Sequence, residues 1–276
     1  MDYSNNVTYI ENFGVEYIQF KNFIKYEDVL VHCFSTRIGG VSNGECSSLN
    51  LGFNKNDKSD NVIENYRRIS RCLNIDLSNM VFSNQIHDNK IKIINECDRG
   101  KGIKIESDII GFDGLITNRK NVAIVTFYAD CVPVYFFDPV KEVIAISHSG
   151  WRGTVKEIAK ETILKMKSEF GCDCENIETA IGPSIKQCCF EVGEAVFREF
   201  VNKLPWSESY CKKSISENKW LINLQGIIEQ TLRNSGVSDE KICNSKICTK
   251  CNKETFFSYR GDNGKTGSLV AVMQLL

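Results

Sequence analysis

Histidine is the scarce residue of this chain, with three in 276 positions: His32, His87 and His148. A mechanism that recruits many imidazoles is excluded by that number alone. Proline is almost as rare, with four in all, and no Pro/Ser-rich linker, repeat or low-complexity stretch marks a boundary. The chain therefore reads as one domain over 1–276. An excess of one charge is also missing. Lys and Arg number 34 against 35 Asp and Glu, and the net charge of -1 supplies no field to recruit nucleic acid or an anionic membrane. The longest apolar stretches, such as 132–137, fall far short of the roughly 20 residues of a membrane span. The opening MDYSNNVTYIENFG lacks the basic and apolar regions of an export signal, so a cytoplasmic location is expected.

What is present fits a soluble globular protein: 42% apolar and 25% charged residues, enough to supply a core. The 13 cysteines would suggest disulfides in a small secreted domain. In a chain of this size, with an odd count and no export signal, reduced thiols serving mostly as small core residues fit better.

The patterning mixes strands and helices. Segment 7–20 alternates around Asn12-Phe13-Gly14 and predicts a hairpin, and 31–36 reads as a strand. A Gly/Ser/Asn-rich loop, RIGGVSNGECSSLNLGF, follows. A helix is expected from Ser59 or Asp60, either of which could cap it, with Val62, Ile63, Tyr66, Ile69 and Leu73 on its apolar face. Runs rich in Val, Ile and Phe at 80–82, 90–94, 122–127, 132–137 and 143–147 read as buried strands. A second helix is expected over 154–170, stopped by Gly171. Further helices are expected at 193–204 and 224–235, and closing strands at 255–259 and 268–275. Strict βαβ alternation is absent, which argues for an α+β fold of layered sheets flanked by helices.

Three candidate ligands sit where a strand gives way to a loop: His87 in SNQIHDNK, Cys131 in YADCVPVYFFDP and His148 in HSGWRG. Two imidazoles and a thiolate suit zinc, with copper as the softer alternative. Three protein ligands leave a fourth position open, as in a catalytic zinc. The plain reading of each is a packed polar residue, because no tight metal-ligand spacing links them. Cys248 and Cys251 form a CxxC and Cys172 and Cys174 a CxC. A structural zinc needs four ligands and no second CxxC is there to complete the set, so neither pair is expected to hold metal or act in redox chemistry. The adjacent Cys188 and Cys189 read as structural. Arg37, followed by Gly39, Gly40 and Ser42, could form an anion pocket from converging amides and a guanidinium fork, or simply a glycine-rich turn. Asp130 could act as acid/base or orient a ligand, with Glu191 and Asp88 as weaker candidates. Arg152 could be a second cation.

Seven motifs in order, STRIGGVSNGECSSLNLGF, NQIH, DGLITN, ADCVPVYFFDP, HSGWRGT, IGPSIKQCCFEVG and CTKCNKETFFSYR, resemble the bacterial laccase-domain family. That family is also called polyphenol oxidase or YfiH-like and is now described as purine nucleoside phosphorylases. The resemblance runs from about Phe34 to the C-terminus. It implies a single layered α+β domain and a mononuclear metal bound at the positions of His87, Cys131 and His148, with Arg37 matching the arginine of the RxGGVS loop. It further implies phosphorolysis of adenosine, inosine and methylthioadenosine, and deamination of adenosine. HSGWRG departs from the commoner HAGWRG. The HxE and PCxxC signature of zinc deaminases is absent, and three histidines cannot furnish a multicopper cluster. The expected reacting groups are Cys131, Asp130 and Arg37, and the expected substrate contacts are Arg37, Asn50 and Arg152. Nucleoside and phosphate are the expected partners, and a monomer is the simpler expectation. Two alternatives remain: a zinc amidase editing a UDP-sugar cell-wall precursor, and a metal-binding or redox protein without turnover.

Overall fold

The computed structural model describes residues 6–276. Residues 1–5, the start of the stretch read for an export signal, lie outside it. Among the described residues the strands in chain order are β1 (Val7–Asn12), β2 (Val15–Phe20), β3 (Leu30–Ser35), β4 (Met80–Phe82), β5 (Ile91–Ile93), β6 (Gly114–Thr117), β7 (Ala123–Tyr128), β8 (Val132–Asp138), β9 (Val143–Ser149), β10 (Glu178–Ile181), β11 (Glu191–Gly193), β12 (Cys211–Lys213), β13 (Lys219–Ile222), β14 (Ile242–Asn244) and β15 (Leu269–Leu275). The helices are α1 (Lys21–Ile24), α2 (Ser59–Leu73), α3 (Trp151–Val155), α4 (Ile158–Phe170), α5 (Glu194–Lys203) and α6 (Leu224–Asn234). None is long and apolar enough to cross a membrane.

Two six-stranded mixed sheets form the centre. One has the order β1-β2-β3-β15-β7-β4 and the other β14-β10-β8-β9-β6-β5. Side chains alternate between the faces of a strand, and the central strands are apolar on both. In β8, Tyr135 and Phe137 enter the core between the sheets, while Val132, Val134 and Phe136 face the layer of α4 and α6. In β15, Ala271 and Met273 point between the sheets, and Val270 and Val272 pack with Tyr66 and Ile69 of α2. Near-continuous apolar runs are what a strand buried on both sides requires. The result is four layers: α2, sheet, sheet, then α4 and α6. A small sheet, β11-β13-β12, lies beside α5.

The hairpin forms as its pattern predicts. Asn12 pairs with Val15, and Phe13 and Gly14 take φ of 49° and 77°, the positive values of a two-residue turn matched to strand twist. Three expectations need correction. Helix α2 is capped at Lys58, not at Ser59 or Asp60, and without a side-chain bond. The helix expected over 154–170 is two helices broken at Glu157, whose φ is 53°. Segment 255–259 is not a strand. Phe256 and Phe257 are fully buried, but the amides of Thr255 and Phe256 bond back to the Asn252 carbonyl, so the segment is a turn that inserts aromatics into the core.

Candidate metal centre

Strand parity brings the three candidate ligands together. Pro133 of β8 lies opposite His148 of β9. His148 shares the face of Ile144 and Ile146, and Cys131 continues the parity of Tyr135 and Phe137, so both point between the sheets at one end of the sandwich. His87 reaches the same point from the loop after β4. The donor atoms of the three lie within 4.8 Å of one another. Cys131 Sγ is 4.0 Å from His87 Nε2, and the imidazoles meet edge to face at 4.9 Å.

Asp113, just before β6, organises this arrangement. One carboxylate oxygen accepts from His148 Nδ1 at 2.7 Å. The two oxygens together accept the backbone amides of Ile86, His87 and Asp88. These bonds hold His87 at a φ of 64°, a left-handed conformation a non-glycine residue adopts only when its surroundings enforce it. They also fix the His148 proton on Nδ1 and leave Nε2 free to coordinate. Burial opposes charge on the Asp113 carboxyl, but the His148 and backbone bonds hold it below the usual range. Sequence reading missed Asp113. The DGLITN motif contains it, but a single Asp before a glycine also reads as a turn.

The donor set fits a metal ion. Burial pushes the Cys131 thiol up, yet the neighbouring His148 and hydrogen bonds from both histidines bring it down to about 6. His148 is pushed down by burial, but Cys131 and Asp113 raise it to about 9. The sulfur and the imidazole thus lie side by side with shifts in opposite directions, and a cation between them would satisfy both donors. Gly150 completes the cradle: a Cβ there would lie 3.0 Å from His87 Cδ2 and 3.1 Å from Cys131 Sγ.

The three candidate ligands form one end of a cavity of about 760 Å³. Phe53, Phe82, Phe127, Tyr128 and Tyr259 give it aromatic walls, Asn84 and Gln85 contribute amides, and Lys55 is the one lysine or arginine lining it among the described residues. Gln85 is already committed to the backbone of Phe127. Lys55 makes no ion pair among the described residues, and burial lowers its ammonium from the ordinary value.

Several expected site residues stand elsewhere. Arg37 does not line the cavity. Its guanidinium donates to the carbonyls of Ser47 and Lys253 and lies over the Phe257 ring at 4.5 Å. The Gly39 and Gly40 amides are not an anion cradle either, because both bond the Ser48 hydroxyl. Both are glycine because a Cβ would fall within 2.2 Å of the facing backbone. Asn50 is fully buried; it donates to Gly52 and Asp57 and accepts from the Gly52 and Ser268 amides, so it braces the wall from behind. Asp130 has a φ of 84° and turns away from Cys131. Its carboxylate accepts from Thr249, Ser258 and the Arg260 amide, tying the C-terminal loop to the ligand strand. Arg152 is exposed over Trp151, Asp88 pairs with Lys156 and Glu191 bonds Ser214 and Ser216. None of these lines the cavity.

The cysteines divide in the same way. Cys172 and Cys174 are buried in the helical-side core, as expected of small apolar residues. Cys248 and Cys251 do have partners: Cys188 and Cys189 lie beside them, all four sulfurs within 4.8 Å of one another. The absence of a second pair in the sequence pattern is made good by the fold.

Comparison with known proteins agrees with this architecture. Residues 31–276 match the family model described as multi-copper polyphenol oxidoreductase laccase. The purine nucleoside phosphorylase YlmD of Bacillus subtilis is 36% identical over 239 residues, 86% of each chain. The mouse purine nucleoside phosphorylase LACC1 is 29% identical over 90% of this chain and 56% of its own length. The crystal structure of a Bacillus licheniformis protein titled YfiH superposes with a TM-score of 0.91 at 30% identity, covering 99% of this chain and all of that one.

Proposed function

The chain belongs to the multi-copper polyphenol oxidoreductase laccase family, and on that premise we propose that it is a purine nucleoside phosphorylase with a mononuclear metal centre. The observation that carries this reading is the cavity itself, with aromatic walls, one lysine and the three candidate metal-binding side chains at one end. The phosphorylase names of the relatives support it. The oxidase in the family's description does not suit this chain, because three histidines cannot build a multicopper cluster.

In phosphorolysis a phosphate oxygen bonds to ribose C1′ while the C1′–N9 bond breaks, its electron pair leaving with the purine. Phe127 and Tyr259, the latter exposed, are the aromatic walls against which a purine would stack. The Asn84 amide, which makes no side-chain hydrogen bond among the described residues, is available to the purine edge. Lys55 is placed to hold the phosphate charge in a partly desolvated setting, where attraction is stronger than in water. His87, Cys131 and His148 would hold zinc, or copper as the softer alternative, and the ion would supply Lewis acidity at that end. Among the described residues no Asp or Glu lines the cavity, so no wall carboxylate is assigned the proton for the departing base.

The substrates proposed are adenosine, inosine and methylthioadenosine, and deamination of adenosine at C6 is assigned to the same cavity. The test is chromatography of purified protein incubated with each nucleoside, with and without phosphate. Phosphate-dependent release of free base is expected, with ribose 1-phosphate from adenosine and inosine and 5-methylthioribose 1-phosphate from methylthioadenosine. No base release from any of the three would overturn the reading.

A further inference from the structure

Cys188 and Cys189 sit in the turn after β10, and Cys248 and Cys251 in the turn after β14. The two segments lie some 60 positions apart in sequence and are joined by a parallel bridge between Ser184 and Cys248. Cys251 Sγ is 3.7 Å from Cys188 Sγ and 3.5 Å from Cys189 Sγ. A disulfide would hold its sulfurs at about 2.05 Å. Four thiolates around one zinc, at about 2.3 Å each, form a tetrahedron with edges of about 3.8 Å. The two Cys251 distances match that edge and are far too long for sulfurs bonded to each other. An iron–sulfur cluster, which places several atoms between its thiolates, needs a wider opening.

The surroundings suit a dication held by thiolates. A zinc with four thiolates carries two net negative charges. Lys186, Lys246, Lys250 and Lys253 each fall within two positions of a cysteine, and segments 184–189 and 245–253 contain no acidic residue.

We infer that Cys188, Cys189, Cys248 and Cys251 form a second, structural metal site that holds one zinc ion in a tetrahedral four-thiolate shell. Its place explains its use. The 248–262 turn carries Thr249 and Ser258, which anchor Asp130, and Tyr259, which lines the cavity. Closing the four thiolates on one ion pins that turn to the 184–190 segment, so the site fixes one wall of the cavity without touching substrate.

The inference is independent of the nucleoside reading and is tested without turnover. Full-length protein is purified under reductant from zinc-supplemented cells, and zinc per chain is measured for wild type, Cys131→Ser and Cys188→Ser/Cys251→Ser. Two ions are expected in wild type and one in each variant. X-ray absorption of the Cys131→Ser protein should then show four sulfur neighbours at about 2.3 Å around its remaining zinc; this measurement needs no change in the cluster itself. No zinc left in Cys131→Ser, or a sulfur count well below four, would overturn the inference. So would an intact mass showing disulfides among the four cysteines.

Discussion

Asp113 accepts the Nδ1–H of His148 at 2.7 Å while its two oxygens also receive the amides of the His87 loop. One carboxylate thus sets which His148 nitrogen faces the site and fixes the backbone of His87. Asp113→Asn places an amide NH₂ among those donors. Metal affinity at the three-residue centre is expected to fall about 10- to 100-fold, measured by competition with a chromophoric chelator. Affinity equal to wild type would remove Asp113 from any positioning role.

Cys131→Ala tests whether one pocket serves both proposed reactions. Its sulfur is half-buried at the end of the cavity, so removing it should leave the sandwich folded while taking away a ligand. Adenine release and inosine formation should be lost together when both products are followed from the same sample. Retention of either activity at full rate would require a second site.

The division of labour between Lys55 and Arg37 predicts opposite phenotypes. Lys55→Ala removes the cation lining the cavity and should raise the KM for phosphate about 10- to 100-fold, the worth of one charge-assisted contact at about 1.5–3 kcal/mol. Arg37→Ala removes two bonds to loop carbonyls and a stacked aromatic contact. It should lower the melting temperature by several degrees, at about 2–4 °C per kcal/mol for a chain of this size, with the phosphate KM little changed. Phosphate kinetics and calorimetry on both variants decide it; the reverse pattern would return the anion site to Arg37.

How much of this was legible in the sequence depended on whether the signal was local. The hairpin at Asn12–Val15, the stripe of α2 and the stop at Gly171 are set by neighbours a few positions apart, and all three were readable. His87, Cys131 and His148 were readable as strand-end residues, although their convergence depends on the pairing of β8 with β9. The Asp113 carboxylate and the four-cysteine cluster escaped because each is defined by contacts across the fold; two adjacent cysteines and a distant CxxC carry no mark of proximity. Phe256 and Phe257 misled in the other direction. Buried aromatics suggest a strand, but burial does not require a ladder when the backbone is satisfied by turn bonds. Arg37 misled because glycines beside an arginine look the same whether their amides face an anion or a serine hydroxyl.

Acid stability depends on His32, outside the centre. It is fully buried, its Nε2 accepts the Phe20 amide at 2.9 Å, and its Nδ1 has no partner. Rings of Phe20 and Phe23 pack against it. Burial pushes its pKa from 6.5 down to about 3, so the unfolded chain binds this proton more tightly than the folded one. The sign follows: the contribution is fully present above pH 6.5, and stability is lost as pH falls below that value, at up to about 1.4 kcal/mol per pH unit, until the folded group itself titrates near pH 3. His32→Gln offers an acceptor to the Phe20 amide without a titrating group. Urea unfolding between about pH 6 and pH 4 should show wild type losing stability more steeply than His32→Gln, by close to one proton's worth of slope. Parallel profiles would mean that His32 is not buried in its neutral form, and the packing described around it would have to be revised.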